Sequence, residues 1–335
     1  MRVAPAEEQA LIVDVLVGHG VEAGRAQTQA TWLVEGDLRG HPSHGIQRLP
    51  VITGRIANGV TRPNAEPELD WASPSALVVD GRRGLGPCVA TTAIDALLSR
   101  VRSTGVAVAA VHDANHLGLL APYVERIAAE GLVAIAITTS EALVHPWGGR
   151  TAMIGTNPIA IAVPAEPNPF VLDMATGATS MGKILHHRAE SLPLEPGWAI
   201  DGDGLPASDA ASATAISPFG GAKGYGLGLA LELLVAALTG TALGRDVTGT
   251  LDTDTRCNKG DLFVCFDPSV FGSTEWLGAA GSFLDDLRRS RAQPGTPGVA
   301  IPGDRTRRAR ASHADAVEIP DAVWDAARAL LPVSA

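Results

Sequence analysis

An α/β fold with α+β character is what this sequence predicts, on three observations. Short β-branched runs alternate with helical segments through the middle of the chain, both ends read as helical, and no internal repeat or low-complexity stretch interrupts the pattern. The length of 335 residues suits two closely connected domains. We expect a helical unit over residues 1–75, joined by 306–335, and an α/β unit over 76–305 that binds cofactor and substrate.

The elements follow in order. Ala6–Gly18 has apolar residues at helical spacing and stops at Gly18-His19-Gly20. Val21–Leu38 reads as a second helix, and Ile46–Ile56 as a third before Asn58-Gly59. Arg62–Ser75, rich in Pro, Glu and Asn, reads as a connector. Ala76–Asp80 is a short strand, Gly81–Gly86 a turn and Val89–Ser103 a helix. Val106–Val111 and Val133–Thr138 are continuous apolar runs of the kind buried strands carry, with a helix at Tyr123–Glu130 between them. Ile159–Val163, Phe170–Leu172 and Leu262–Phe266 supply further strands. Leu205–Ser217 reads as loop. Gly226–Leu238 is the strongest helical pattern and reads as a core helix, and Asp321–Leu331 closes the chain as an amphipathic helix.

Composition narrows the function. Hydrophobic residues make up 46% but aromatics only 4%, so the core is aliphatic. A net charge of -10 argues against a binder of nucleic-acid backbone, which needs many Lys and Arg contacts. Cys88, Cys257 and Cys265 are too few and scattered for a disulfide framework or a cysteine zinc site, which suggests a reducing, cytoplasmic setting. The acidic start of the chain does not resemble a signal peptide. No apolar run reaches the ~18 residues of a membrane span; the longest, Leu227–Leu238, contains Glu232. Nine histidines raise the question of a metal, but none has His-Glu-x-x-His spacing, and no metal is expected.

The stretch Gly40–Leu49, Gly-His-Pro-Ser-His-Gly-Ile-Gln-Arg-Leu, concentrates reactive groups at the end of the predicted helical hairpin. Imidazoles (His41, His44) move protons near neutral pH, and the Arg48 guanidinium is shaped to grip a carboxylate. On its own the stretch suits a polar helix-to-loop junction equally well. His116, in Asn115-His116-Leu117-Gly118, lies just beyond a buried strand, where ligand-contacting residues gather, although an isolated histidine there more often belongs to a surface turn. Asp173 emerges at another strand end, placed to meet a ribose hydroxyl, to orient an imidazole or merely to cap a turn. Lys223 stands in Phe219-Gly-Gly-Ala-Lys-Gly-Tyr-Gly at a helix start, where free amides favour phosphate or carboxylate. Neither a P-loop nor Gly-x-Gly-x-x-Gly is present, so a dinucleotide would bind outside the Rossmann scheme.

Taken together, Ser43-His44-Gly45, Asn115-His116-Leu117-Gly118, Pro146-Trp147-Gly148-Gly149, Asn157-Pro158, Leu172-Asp173-Met174-Ala175 and Gly220-Gly221-Ala222-Lys223-Gly224-Tyr225 resemble the type-2 malate/L-lactate dehydrogenases. That group includes ureidoglycolate and sulfolactate oxidoreductases and cyclic-imine carboxylate reductases. Gly197-Trp198-Ala199-Ile200-Asp201 and Asn258-Lys259-Gly260 also fit, and the likeness spans nearly the whole chain.

The resemblance implies a non-Rossmann fold with a mixed sheet, a homodimer, no membrane association, and hydride transfer between NAD or NADP and a small 2-hydroxy or 2-oxo acid. By the same resemblance, His116 and His44 are acid/base candidates, Ser43 relays protons and Arg48 holds the substrate carboxylate. Ser140, Asp173, Met174, Ala175 and Lys223 match cofactor-contacting positions. Gly303, Asp304 and Arg305 stand where the family often has Gly-x-Glu, and Thr156 and Asn157 are expected to line the substrate side. Two departures stand out: Ile52 replaces a common tyrosine, and Glu141 puts an acid near the expected cofactor edge. Reduction of a cyclic imine carboxylate is the nearest alternative, and a catalytically silent dinucleotide-binding protein is a further one.

Overall fold

The computed structural model describes residues 1–272 and 276–332. In chain order the elements are β1 (Arg2–Val3), α1 (Pro5–Gly18), α2 (Ala23–Leu38), α3 (Leu49–Ala57), β2 (Glu68–Ser73), β3 (Ala76–Gly84), α4 (Gly86–Thr104), β4 (Val106–Ala114) and α5 (Ala121–Ala129). There follow β5 (Val133–Thr138), β6 (Ile159–Val163), β7 (Phe170–Met174), α6 (Met181–Ala189), β8 (Ala199–Ile200), β9 (Ala215–Ile216) and α7 (Ala222–Thr239). The chain ends with β10 (Asp261–Phe266), α8 (Trp276–Arg289), α9 (Asp304–Ser312), β11 (Val317–Glu318) and α10 (Asp321–Arg328).

Seven strands form one mixed sheet in the order β2-β3-β4-β10-β5-β6-β7. Only β3 and β4 pair in parallel; every other neighbouring pair is antiparallel. The α4 crossover links the parallel pair, as that geometry requires. Strand β10 lies antiparallel between β4 and β5 and separates two strands that a doubly wound fold would pair in parallel. The expected α/β, non-Rossmann mixed sheet is therefore what the chain forms.

Alternation along the strands sorts the core into two faces. Ala107, Ala109, Val111, Phe263 and Cys265 face α4 and α5, while Ala110 and Leu262 face Leu231 and Val235 of α7. A separate apolar cluster unites Ile12 and Leu16 of α1, Leu33 of α2, Ile46 and Leu49, and Trp324 of α10. Strand β1 pairs with β11, so the last segment of the chain packs onto the N-terminal helices.

Three details differ from the sequence reading. The connector at 62–75 contains β2, an edge strand with every residue exposed except half-buried Trp71, so burial leaves no alternating pattern to read. Helices α6, α8 and α9 were not anticipated; α6 and α9 are short and rich in His or Arg. Helix α7 is not wholly core. Leu231, Val235 and Ala236 are buried, but Leu233, Leu234 and Leu238 are exposed. By length and apolarity it would also pass as a membrane span. Yet the carboxylate of Glu232 is buried and accepts N–H bonds from Gly155, Asn157 and Gly244, which fixes the helix to the sheet.

Candidate active site

The sheet brings distant motifs to one edge. The register sets Thr138 and Val111 both opposite Asp261, and Ile159 opposite both Ile137 and Met174. The loops after β4, β5 and β7 and those before β6 and β10 therefore leave from the same side. The first two carry His116 and Ser140, the last two Asn157 and Lys259, and Asp173 stands on β7 itself, just before its end. Loops that leave the sheet on one side gather ligand-contacting side chains because those side chains converge without disturbing the sheet.

The Ser43–Arg48 loop reaches that edge from the helical side. Asp37 at the end of α2 accepts the Ile46 amide at 2.7 Å, and Arg39 makes two bonds to Glu125 of α5 at 2.8 and 2.6 Å. Gly182 of α6 lies so close to Ser43 that a Cβ there would sit 2.9 Å from the Ser43 Cβ. Below the loop, Glu8 is fully buried beside Asp37. Burial above all, then the Asp37 charge, pushes the Glu8 carboxyl up to about 9, and burial lifts Asp37 to about 6.

His44 and His116 stack with ring centroids 5.6 Å apart and planes 28° from parallel. Ser43 Oγ lies 3.0 Å from His44 Nδ1, while the Gly118 amide donates to His116 Nδ1 at 3.2 Å. Burial first, then the neighbouring positive groups, lowers His44 to about 3 and holds His116 well below the ordinary imidazole value. Both environments favour the neutral ring. They differ in one respect. The Gly118 amide occupies the Nδ1 lone pair of His116, which assigns its proton to Nε2. The Ser43 hydroxyl can donate or accept, so His44 can gain or lose a proton without breaking its hydrogen bond.

Arg48 and His116 line one small pocket with Trp32, Ile52, Arg55 and Thr250. Arg48 Nη2 donates to Thr250 O at 2.7 Å. Arg55 donates to Asn115 Oδ1 at 3.1 Å and to Asp252 O at 2.8 Å. Four predicted groups thus come together: Ser43, His44, Arg48 and His116. Arg55, Trp32 and Thr250 were not foreseen. For Arg55 a signal existed, because it lies seven residues after Arg48, two turns along the same helical face. His41 has its imidazole lowered to about 4, by burial first and then by Arg305, Arg39 and Lys183. Ile52 lines the pocket, so the missing tyrosine hydroxyl leaves an apolar patch there.

The residues expected to hold cofactor occupy the neighbouring part of the edge. Ser140 Oγ accepts the Thr156 amide at 3.0 Å and lies 3.2 Å from the Thr156 hydroxyl. Asn157 is fully buried, and its Nδ2 donates to Gly228 O and Glu232. Its amide is spent inside the protein, so it shapes the cleft from behind. Asp173 accepts the Ala121 amide at 2.8 Å at the start of α5. Crowding by protein raises its carboxyl to about 6, an effect tempered by the solvent that reaches this exposed residue. Met174 and Ala175 are half-buried beside it. Gly303 abuts Val171 of β7, while Asp304 engages Arg288 and Arg307, whose charges hold its carboxylate below the usual range.

These residues fit a phosphate-bearing dinucleotide. Gly220 and Gly221 take positive φ (58° and 67°) and open α7 with no side-chain cap, leaving its first amides free beside exposed Lys223. The buried Thr179 hydroxyl, on the segment paired with Ser217 and Pro218, has no partner among the described residues. Among the described residues no group of three or more His, Cys, Asp or Glu side chains could hold a metal.

Comparison with known proteins gives a consistent picture. The profile of the family described as malate/L-lactate dehydrogenase matches residues 3–327. L-sulfolactate dehydrogenase of Methanocaldococcus jannaschii is 37% identical over 95% of this chain and 93% of its own. Its solved structure has a TM-score of 0.93, covering 98% of this chain and 96% of that one at 36% identity. Delta(1)-pyrroline-2-carboxylate reductase 1 of Burkholderia ambifaria is 38% identical over 97% of this chain and 96% of its own. The crystal structure of a dehydrogenase from Sinorhizobium meliloti has a TM-score of 0.94 at 48% identity, covering 99% of this chain and 98% of that one.

Proposed function

This chain belongs to the malate/L-lactate dehydrogenase family of oxidoreductases, and from that premise we propose that it reduces a small 2-oxo acid to the 2-hydroxy acid, reversibly, with NADH or NADPH. The observation that carries this reading is the stacked pair His44–His116, with Arg48, the carboxylate clamp, lining the same small pocket as His116. The reduced nicotinamide supplies the hydride when bound. The uncapped start of α7, Lys223, Ser140 and Asp173 are the groups that would hold its carrier.

The protein's own part is positioning, polarisation and one proton. Arg48 takes the substrate carboxylate and fixes the oxo group against His116. The Nε2–H of His116 donates to that oxygen and stabilises the charge that grows on it. With substrate on Arg48, His44 takes up a proton from solvent and, as an imidazolium beside Ser43, gives it to the oxygen that the hydride transfer leaves negative; in the oxidation direction the neutral ring accepts that proton. Arg48 is among the charges that keep both rings neutral, so an anion seated on Arg48 raises both. Substrate binding and proton uptake are thereby coupled.

Reduction of a cyclic imine carboxylate is the second reading. It is supported by the name of the B. ambifaria relative and by the apolar Ile52 in the pocket. A panel of 2-oxo acids and piperideine- or pyrroline-2-carboxylate, each with NADH and NADPH, decides between them. Turnover of imine acids alone sinks the oxo-acid reading. Absence of any turnover, with cofactor bound, returns the chain to a silent binder.

A further inference from the structure

We propose that Glu8 and Asp37 act as a positioning pair: one proton held between their carboxyls keeps Asp37 on the Ile46 amide, and its loss at alkaline pH loosens the loop that carries Ser43, His44 and Arg48. The effect of that loop on turnover rests on the reductase reading; the way the loop is held does not.

Glu8 lies on α1 and is fully buried, and among the described residues no N–H or O–H donor reaches either of its carboxyl oxygens. A carboxylate left without donors in such a place is costly, whereas the neutral acid needs only one acceptor for its O–H. The Asp37 carboxyl faces it and supplies that acceptor. The arrangement that satisfies both groups is therefore a neutral Glu8 donating to an ionised Asp37. Little else around them carries charge. Glu35 of α2 is spent on Arg39 and Arg310, and α10 turns only Trp324 and Ala327 inward. His313, which follows α9 and sits with Nδ1 3.0 Å from Leu38 O, is the positive group that acts on Asp37 when protonated.

The loop is built directly on this pair. Asp37 Oδ2 accepts the Ile46 amide at 2.7 Å, and a Cβ on Gly45 would sit 1.9 Å from that same oxygen. One residue earlier on α2, a Cβ on Gly36 would sit 2.6 Å from the His44 carbonyl oxygen. The end of α2 thus meets the loop backbone with no side chain between them, so a shift of Asp37 passes straight to His44 and to Arg48, two residues beyond Ile46. A second negative charge on Glu8 forces such a shift, because two buried carboxylates side by side repel with little solvent to screen them. The Ile46 amide then loses its acceptor, and both the Ser43–His44 contact and the Arg48 clamp lose their fixed footing.

Hydrogen–deuterium exchange of the peptide spanning residues 40–49, corrected for the intrinsic rise of exchange with pH, reads the loop without any substrate. Wild-type protection should be level near neutral pH and fall above the Glu8 value of about 9. In the same range kcat/KM for oxidation of the 2-hydroxy acid should fall about tenfold per pH unit, as one lost proton requires. That direction is chosen because a neutral imidazole accepts the proton and adds no alkaline limb. Glu8→Gln keeps a donor to Asp37 and cannot ionise, so protection and rate should stay level and within about twofold of wild type near neutral pH. Glu8→Leu has no donor and should lower kcat and raise KM about 3- to 10-fold at every pH. Asp37→Asn, the second probe should Glu8→Gln fail to fold, forms no second charge, and its protection should also stay level. A wild-type loop that stays protected at alkaline pH, a Glu8→Gln loop that opens as wild type does, or protection lost evenly along the whole chain overturns the pair. Loop exchange that follows Glu8 in a protein with no turnover of any oxo or hydroxy acid keeps the pair and removes the reductase reading. Turnover with loop exchange independent of Glu8 does the reverse.

Discussion

Glu141 holds Thr250 from both ends: its Oε1 accepts the Thr250 amide at 2.7 Å and the Thr250 hydroxyl at 3.1 Å. The carbonyl of the same Thr250 accepts Arg48 Nη2 at 2.7 Å. Glu141 therefore acts as a strut, fixing the loop that orients Arg48, the proposed carboxylate clamp. Its charge also favours the protonated Arg48, which burial opposes. Glu141→Gln keeps the shape but exchanges a charge-assisted acceptor for a neutral one, and Glu141→Ala frees the loop. We expect KM for the oxo acid to rise about threefold in the first and at least tenfold in the second, with a smaller fall in kcat. Unchanged KM in Glu141→Ala means that the loop orders itself without the strut.

The two histidines separate by pH. His116→Ala should remove turnover while cofactor binding, measured by nicotinamide fluorescence, persists. His116→Gln retains an N–H donor and should keep a small fraction of activity, roughly 10²- to 10³-fold below wild type. In His44→Gln the rate should fall and lose the pH dependence that a titrating imidazole imposes. A His44→Gln enzyme that keeps that pH limb assigns the proton to His116 instead.

Both rings also set a stability trend. Their folded-state values lie below the ordinary 6.5, so the unfolded chain binds more protons between those values and 6.5. Stability is fully present above about 6.5 and falls as pH drops through that window. Glu8 works in the opposite sense. Its carboxyl is raised from 4.5 to about 9, so the folded protein holds the extra proton between those values and loses stability as pH rises through them. Glu8→Gln keeps the shape of the neutral acid and removes that loss. Its Tm should exceed that of wild type by several degrees at pH 8, at ~2–4 °C per kcal/mol, and by much less at pH 5. Equal gains at both pH values refute a proton-linked origin.

How much of this was legible in the sequence depends on the kind of signal. Strands β4, β5 and β6 were readable because they are buried runs of β-branched and small residues. Strand β2 was not, since an exposed edge carries no burial pattern, and the His- and Arg-rich α6 and α9 have too little apolar surface to show a helical stripe. Ser43, His44, Arg48 and His116 were legible as motifs. Their meeting was not, because it depends on β10 entering between β4 and β5 and on Asp37 fixing the Ile46 amide. Arg55 was missed for a different reason. An arginine on an otherwise apolar helix reads as a solvated charge until its burial is known.

Helix α7 carries the last prediction. Its inner face packs Leu231 and Val235 on the sheet, while Leu227, Leu233, Leu234 and Leu238 lie 37–51% exposed on the outside. Such an apolar face on one helix is costly to leave in water. A membrane would cover it by length and composition, but Glu232 holds the helix in the Asn157 network on which the cleft is built. We propose that a second copy of the chain covers it. Light scattering should give the mass of a dimer for the wild type. Leu233→Lys with Leu234→Lys should shift it toward the monomer, because two buried charges would replace apolar contact across a symmetric interface. A wild-type protein that runs as a monomer at micromolar concentration, or a double variant that remains dimeric, excludes this face as the interface.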